Sequence, residues 1–199
     1  HKRQVGAVVL APGFRIEGGD NFAELGYGAH PDIVMSAELQ RLLESPGPTG
    51  GYASKPSNEE YPDSVLVVLD NPSQFALYIV ASQVHQLLEQ DIGTVSVLVL
   101  SQANAYSEDP STMRLTEQTG VQVRWGTMFK VDPTAENTLD VSFEDFSAKR
   151  YVRDTYDMVV LCSDVHAPHG LVQLAATVGV ELADDGFIAV ADADGAGVT

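Results

Sequence analysis

The chain has 199 residues, 44% hydrophobic and 20% charged, so it is long enough to bury the core of a globular domain. Its 11 Lys and Arg stand against 28 Asp and Glu, a net charge of −17. This excess argues against nucleic acid and anionic membrane surfaces as direct partners, and it favours either solubility in a salty cytoplasm or docking of a basic protein. The single cysteine excludes internal disulfides. Because the apolar runs are too short to span a bilayer and no secretion signal is recognisable, a cytoplasmic protein is expected.

The first 62 residues carry few regular patterns. Val5–Leu10 predicts a short strand that ends at the turn Ala11-Pro12-Gly13. Ser36 is predicted to cap a helix over Ala37–Glu44. Ser45–Pro62 contains four prolines and three glycines, which predicts an exposed connector. The chain has no initiator Met and enters a strand almost at once, so we expect a piece of a longer protein whose first strand is poorly supported.

From residue 63 onward, buried strands alternate with helices. The elements predicted in chain order are a strand at Val65–Leu69, a helix at Pro72–Gln90, a strand at Val95–Leu100, a helix at Ser111–Gln118 ended by Gly120, a strand at Val121–Trp125, an antiparallel meander of Phe129–Asp132, Leu139–Phe143 and Tyr151–Asp154, a strand at Met158–Cys162, a helix at Leu171–Val178 and a last strand at Gly186–Val190. This order predicts a three-layer, Rossmann-like α/β fold with a parallel sheet and an antiparallel β-meander. Trp125 and Phe129 are expected in its core.

The turn after the first buried strand has the position of a phosphate-binding loop but not its composition. It reads Asp70-Asn71-Pro72-Ser73, with no glycine to let a pyrophosphate approach the backbone. The acid expected after the next strand, for a ribose, is replaced by Ser101 and Gln102. Asp70, Asn71 and Ser73 are therefore predicted to form a degenerate nucleotide turn, in which Asp70 itself could take the anion position at the helix start.

The segment Cys162-Ser-Asp-Val-His-Ala-Pro-His169 gathers side chains that can bind metal. Cys162, His166 and His169 with Asp164 could supply zinc ligands at the end of a strand. The alternative, which is favoured, is a buried strand cysteine followed by a hydrophilic loop, with no metal. A nucleophilic role for Cys162 lacks a glycine-rich elbow and a well-placed base.

Several longer motifs carry a family resemblance. Three of them resemble parts of FAD-dependent pyridine nucleotide-disulfide oxidoreductases. The strand that leads into the second dinucleotide domain of these enzymes is similar to "GAVVLAPGF". The third strand of that domain is similar to "TGVQVRWGT", and its final segment is similar to "YDMVVLCSDVHAPHGLVQLAATVGVELADDGFIAV". "GYGAHPDIVMSAELQRLLESPGPTGG" resembles the segment before this domain in the A subunit of heterodisulfide reductase and in the flavin subunits of the quinone-interacting membrane-bound oxidoreductase complex.

The resemblance implies a division into residues 1–62, a flavin-domain remnant with its connector, residues 63–191, the Rossmann-like domain, and a tail at 192–199. It also implies that FAD lies against Ala11, Pro12 and Gly13 in the intact parent, with none expected in this fragment, and that His166 could touch a cofactor at the domain junction. The expected partners are other subunits of a redox complex. The first strand, within Val5–Phe14, is expected to pair onto the domain's own sheet, to contact a second copy of the chain in a homodimer, or to be mobile.

The chain departs from its relatives at the places where they carry cluster-binding cysteines. These places hold Asp70, Asn71, Ala81 and Ser82, which cannot bind an iron–sulfur cluster. The sequence leaves two functions open. The first is a fragment of a flavin-dependent electron-transfer subunit with a degenerate nucleotide site, and the second is a non-catalytic docking module that has lost its ligand.

Overall fold

A computed structural model describes residues 5–16, 19–70, 73–100 and 120–189. These residues fall into two compact units, Gly18–Asp164 and His1–Glu17 with Val165–Thr199. The strands are β1 (Arg15–Ile16), β2 (Ile33–Met35), β3 (Ser64–Asp70), β4 (Thr94–Leu100), β5 (Val121–Pro133), β6 (Leu139–Asp145), β7 (Arg150–Tyr156), β8 (Met158–Cys162) and β9 (Val165–His166), and the α-helices are α1 (Ser36–Leu43), α2 (Gln74–Leu88) and α3 (Leu171–Val178). Strand β2 and helix α1 belong to the larger unit.

The larger unit is built on one sheet with the strand order β2-β8-β3-β4-β5-β6-β7. The first five strands of this order pair in parallel, and β3 is flanked by β8 and β4 in unbroken register. The last three strands pair antiparallel. The predicted parallel sheet with an antiparallel meander is therefore confirmed. The predicted helix Ser111–Gln118 lies outside the described residues.

The two faces of the parallel strands bury two separate apolar clusters. Val65, Val67 and Leu69 of β3 pack on one face, where the side chains of α1 and α2 cover them. Leu66 and Val68 point to the other face, into a cluster formed with the meander and with a 3-10 helix at Gly19–Leu25. Each strand face is thus covered, which explains why β3 and β8 are apolar at consecutive positions rather than alternating. This arrangement gives the three layers predicted from the sequence.

The fifth strand is longer than predicted, because Val121–Trp125 and Phe129–Asp132 belong to one strand of 13 residues. Up to Trp125 it pairs in parallel with β4, and from Gly126 it pairs antiparallel with β6. An irregularity between Met128 and Lys130 shifts the register. The expectation that Phe129 is a core residue is wrong, since its side chain is 48% exposed and packs beside Tyr151. Trp125 is partly buried against the helix-covered cluster.

The two α-helices in the described part of the larger unit begin close to their predicted positions. Met35 rather than Ser36 stands at the N-cap of α1, and its backbone N–H donates to the Glu38 carboxylate at 2.7 Å. Ser36 instead lies inside α1, where its hydroxyl donates to Oε1 of the buried Gln83 at 3.0 Å. Nε2 of Gln83 donates to the Ser36 carbonyl oxygen at 2.9 Å. These two hydrogen bonds join α1 to α2 and satisfy a buried amide.

In the smaller unit, β1 pairs antiparallel with β9. Helix α3 has the predicted bounds Leu171–Val178 and is flanked by Gly170 and Gly179, both with positive φ. The strand predicted at Val5–Leu10 does not form, and Val5, Val8 and Val9 are 64%, 64% and 90% exposed. In place of the last predicted strand, there is a single antiparallel bridge between Leu182 and Ile188.

None of the helices in the described part of the chain has the length and apolar character needed to cross a membrane.

We expect Gly126→Ala to destabilise the larger unit by roughly 3 kcal/mol. A Cβ at this position would lie 2.0 Å from the Glu144 carbonyl oxygen, which belongs to the paired backbone and cannot move aside. Urea denaturation measures the change, and Gly6→Ala is the control, because no heavy atom lies within 4 Å of a Cβ built there. Equal stability of the two variants would contradict the close approach at Gly126.

Candidate functional site

The candidate site lies at the carboxyl edge of the parallel strands. Strand β3 ends at Asp70 and its neighbour β8 ends at Cys162. The chain leaves β3 toward β4 on one side, whereas β8 lies on the other side. The carboxyl edge of the parallel strands is the usual ligand position in open α/β sheets. The sequence and the topology therefore point to the same place.

The amino-terminal end of α2 reaches this edge and is capped from within the chain. The Ser73 hydroxyl accepts a hydrogen bond from the Ala76 backbone N–H at 3.2 Å. The Ser73 backbone N–H donates to Oδ1 of Asp164 at 3.2 Å. A helix start offers free N–H groups and a partial positive charge, which is what a phosphate would use. Here a carboxylate of the same chain takes up one of these groups.

The sequence predicts Asp70 at the helix start, but Asp164 makes the observed contact with Ser73. Asp70 is the exposed last residue of β3. Asn71 and Pro72 lie outside the described residues. Asp164 follows β8, which pairs with β3, so the two carboxylates lie where neighbouring strands end at one edge. That edge is therefore rich in negative charge and poor in glycine.

Cys162 is buried at the end of β8. The residue is 4% exposed, and Sγ donates weakly to the Ser163 carbonyl oxygen at 3.6 Å. Burial raises the pKa of the thiol to about 11, and the negative charge of Asp164 adds to the rise while a hydrogen bond with Ser36 opposes it. A thiol with so high a pKa is a small apolar core group rather than a nucleophile.

Metal binding by Cys162, Asp164, His166 and His169 receives no support. In residues 5–16, 19–70, 73–100 and 120–189, no three or more His, Cys, Asp or Glu side chains are grouped so that they could hold a metal ion. His166 is half-buried in β9, where its backbone pairs with Arg15.

Ala11, Pro12 and Gly13 lie in the smaller unit, in a segment that is neither helix nor strand. Gly13 has φ of 71°, and a Cβ built there would meet no heavy atom within 4 Å. The backbone at this position is therefore open to a close neighbour.

A second group of polar side chains lies at the opposite, amino edge of the sheet and is not predicted by the sequence. Asp32, fully buried before β2, accepts hydrogen bonds from the Ser57 N–H at 2.8 Å and hydroxyl at 2.6 Å. Lys55, 4% exposed, donates to the Asn137 carbonyl oxygen at 2.7 Å and lies 3.8 Å from Asp157. Buried charges need such partners, and these contacts fix the connector to the sheet. In the sequence, Lys55 and Ser57 are recognisable only as a charged and a polar residue within the connector.

We expect Asp164→Ala to lower the free energy of unfolding by about 1 kcal/mol, because it removes both a hydrogen bond and a negative charge from the start of α2. Asp164→Asn should cost about half as much, since its amide oxygen can still accept from Ser73. Chemical denaturation measures both, with Asp184→Ala in an exposed turn as the control that stays within about 0.5 kcal/mol. If Asp164→Ala left the free energy of unfolding unchanged, the capping role of Asp164 would be contradicted.

Cys162 should react slowly with iodoacetamide in the folded protein. At pH 8 a thiol with a pKa of about 11 has roughly a hundredfold less thiolate than one with the ordinary value of 9.0, and burial lowers access further. The alkylation rate in native buffer, divided by the rate in urea, should therefore be below about 0.01. Comparable rates would mean that the end of β8 opens readily.

The comparisons with known proteins agree with the motifs. No protein-family model matches the chain. It is 26% identical over 198 residues to the A subunit of the H(2):CoB-CoM heterodisulfide,ferredoxin reductase of Methanothermobacter marburgensis, a match that covers 93% of this chain and 30% of that protein. It is 28% identical over 203 residues to the iron-sulfur A subunit of the CoB--CoM heterodisulfide reductase of Methanocaldococcus jannaschii, covering 94% and 30%.

Among solved structures, the thioredoxin reductase of Lactococcus lactis in its FR conformation aligns with a TM-score of 0.46 and 10% identity, covering 91% of this chain and 50% of that one. The chain spans about 30% of the length of the curated relatives that it matches. The resemblance inferred from the motifs is confirmed, since nearly the whole chain is similar to one part of the A subunit of heterodisulfide reductase.

Proposed function

We propose that the chain is the Rossmann-like domain of a flavin-dependent electron-transfer subunit similar to the A subunit of heterodisulfide reductase, and that its own nucleotide site is degenerate. The similarity over 93% of the chain supports the first part. The single observation that carries the second is the Asp164 carboxylate on the Ser73 N–H, where a dinucleotide would place its pyrophosphate. The intact protein would act in the cytoplasm with the other subunits of a redox complex.

The residues at the α2 turn do not fit a dinucleotide. A pyrophosphate brought to this helix start would meet the negative charge of Asp164 and the nearby Asp70, a repulsion on the order of 1–4 kcal/mol. Ser73 also carries a side chain where glycine would permit close backbone approach. A penalty of about 3 kcal/mol weakens a micromolar site roughly a hundredfold. The domain is therefore proposed to have lost the nucleotide while keeping the fold that positions it in related domains.

FAD is proposed to bind the intact parent, with this chain contributing a stretch of backbone. Ala11 and Gly13 are small, and the position of Gly13 is open, so the segment fits the close passage of a large planar cofactor. The side chains of Val8 and Val9 are exposed on the same segment. A flavin so bound would supply the electron-transfer chemistry. His166 is proposed to lie toward the same cofactor, since its strand β9 pairs with β1, which follows this segment.

A docking module without a cofactor is the second candidate function. Exposed aliphatic side chains favour it, and the largest exposures among them, at Val5, Val8, Val9 and Val172, all belong to the smaller unit. Apolar side chains concentrated in this way indicate a surface that contacts another protein or another domain.

Calorimetric titration with NADH, NADPH and FAD separates the proposals. We expect no dissociation constant below about 10 μM for any of the three, because the helix start is occupied by Asp164 and the flavin pocket needs further parts of the parent. Asp164→Ala is the informative variant, and a gain in NADH affinity with it would identify the carboxylate as the blocking group. Binding of NADH or NADPH to the unchanged chain below about 10 μM would overturn the degenerate site.

A further inference from the structure

Two adjoining grooves on the larger unit lie away from the α2 start. One has a volume of about 560 Å³ and the other about 490 Å³, and they share Leu42, Pro48 and Pro56 in their walls. Tyr27 and Pro31 line the first groove, and Tyr52 and Tyr61 line the second. The continuous surface formed by these seven residues is called the tyrosine–proline groove below. It belongs to one compact unit, so its walls hold a defined relation to each other.

The wall built by the connector is held in place by hydrogen bonds on both sides of Tyr52. Nε2 of Gln90 donates to the Gly51 carbonyl oxygen at 3.0 Å, and Oε1 of Gln90 accepts from the Ala53 N–H at 2.8 Å. The Tyr61 hydroxyl donates to the backbone carbonyl oxygen of the same Gln90. A single residue, Gln90, which follows the end of α2, therefore anchors three points of the wall.

Pro56 is held equally firmly, because both of its chain neighbours are anchored. Lys55 is bound to Asn137 and Asp157, and Ser57 is bound to the buried Asp32. A connector rich in proline and glycine is thus a rigid wall. Because its conformation is already ordered, binding a ligand against it costs little conformational entropy.

The charges along the groove favour a cationic ligand. Glu38 and Glu59 line it, against a single exposed cation, Arg41, among its described lining residues. The Glu38 carboxylate is held by the Met35 N–H at 2.7 Å and the Tyr27 hydroxyl at 3.3 Å. Lys55 contributes no accessible charge, since its side chain is 5% exposed and paired.

We propose that the tyrosine–proline groove binds an extended, proline-containing segment of a partner protein that carries an arginine or lysine. Grooves lined by aromatic side chains accept such segments because a polyproline II helix is already ordered and its ridges fit between the rings. The Glu59 carboxylate would pair with the basic residue, while Glu38 in the adjoining groove and the net charge of −17 would favour its approach. The proposal is independent of any nucleotide or flavin.

The test is an NMR titration of the ¹⁵N-labelled chain with the peptide acetyl-Arg-Pro-Leu-Pro-Pro-Leu-Pro-amide. We expect saturable shifts confined to amides of residues 27–31, 38–42 and 48–61, with a dissociation constant below about 1 mM. Tyr52→Ala should weaken binding at least about fivefold, as befits an aromatic anchor. Tyr151→Ala is the matched control, a still more exposed tyrosine on β7, and should change the affinity less than about twofold.

A peptide in which glutamate replaces the arginine tests the charge argument and should bind at least about fivefold more weakly. The proposal is overturned if no shifts occur up to about 1 mM peptide, if Tyr151→Ala weakens binding as much as Tyr52→Ala, or if the glutamate peptide binds equally well. Glu59→Gln gives an independent check, because its side chain is exposed and weaker binding by this variant reports the lost charge rather than a lost fold. Because neither NADH nor FAD is present, failure here leaves the proposed function untouched.

Discussion

The parallel pairing of β3 with both β8 and β4 is the constraint on which the rest of the larger unit depends. Five residue pairs join β3 to β8, and seven join it to β4. Between Val65 and Leu69, β3 is entirely apolar and buried. Such strands must be covered on both faces, which requires helices on one side and the meander on the other. The same pairing brings the ends of β3 and β8 together, and this puts Asp164 within reach of Ser73. The strand pairing that defines the fold therefore also places a carboxylate at the start of α2.

The sequence predicts those elements whose pattern is local. Met158–Cys162 and Leu171–Val178 have their predicted bounds, because an uninterrupted apolar run and a helix between two glycines carry their own signals. Ile33–Met35 has no such signal, since three residues become a strand only by pairing with Val159–Leu161, far away in the chain. The sequence predicts two strands, Val121–Trp125 and Phe129–Asp132, and Gly126 follows the first of them. In the folded protein it is instead the point where one strand changes partner, and a glycine is needed because the Glu144 carbonyl lies so close.

The candidate site is predictable in place but not in detail. The strand, turn and helix after Val65 identify the carboxyl edge of the sheet, and the lack of glycine predicts a poor phosphate site. Which carboxylate meets the helix start depends on strand order, and β8 is distant in sequence from α2. Along the chain, Asp164 is a neighbour of Cys162 and His166, and this proximity suggests a metal site. In the fold, Cys162 is buried in the sheet and Asp164 contacts Ser73, so sheet topology makes Asp164 a helix cap.

Residues at both ends of α2 make hydrogen bonds within the chain, and these contacts bear on the proposed function. At its start the Ser73 hydroxyl and Asp164 take up free N–H groups. Beyond its end, Gln90 binds the connector, and Lys55 and Ser57 fix that connector to the amino edge of the sheet. A nucleotide-binding domain that retained its ligand would leave the helix start free and would gain stability on binding. Here an internal carboxylate already contacts the helix start, which supports the proposal that the nucleotide site is degenerate. The connector is a part of the outer surface of the larger unit that buried charges hold in place, and the tyrosine–proline groove lies along it.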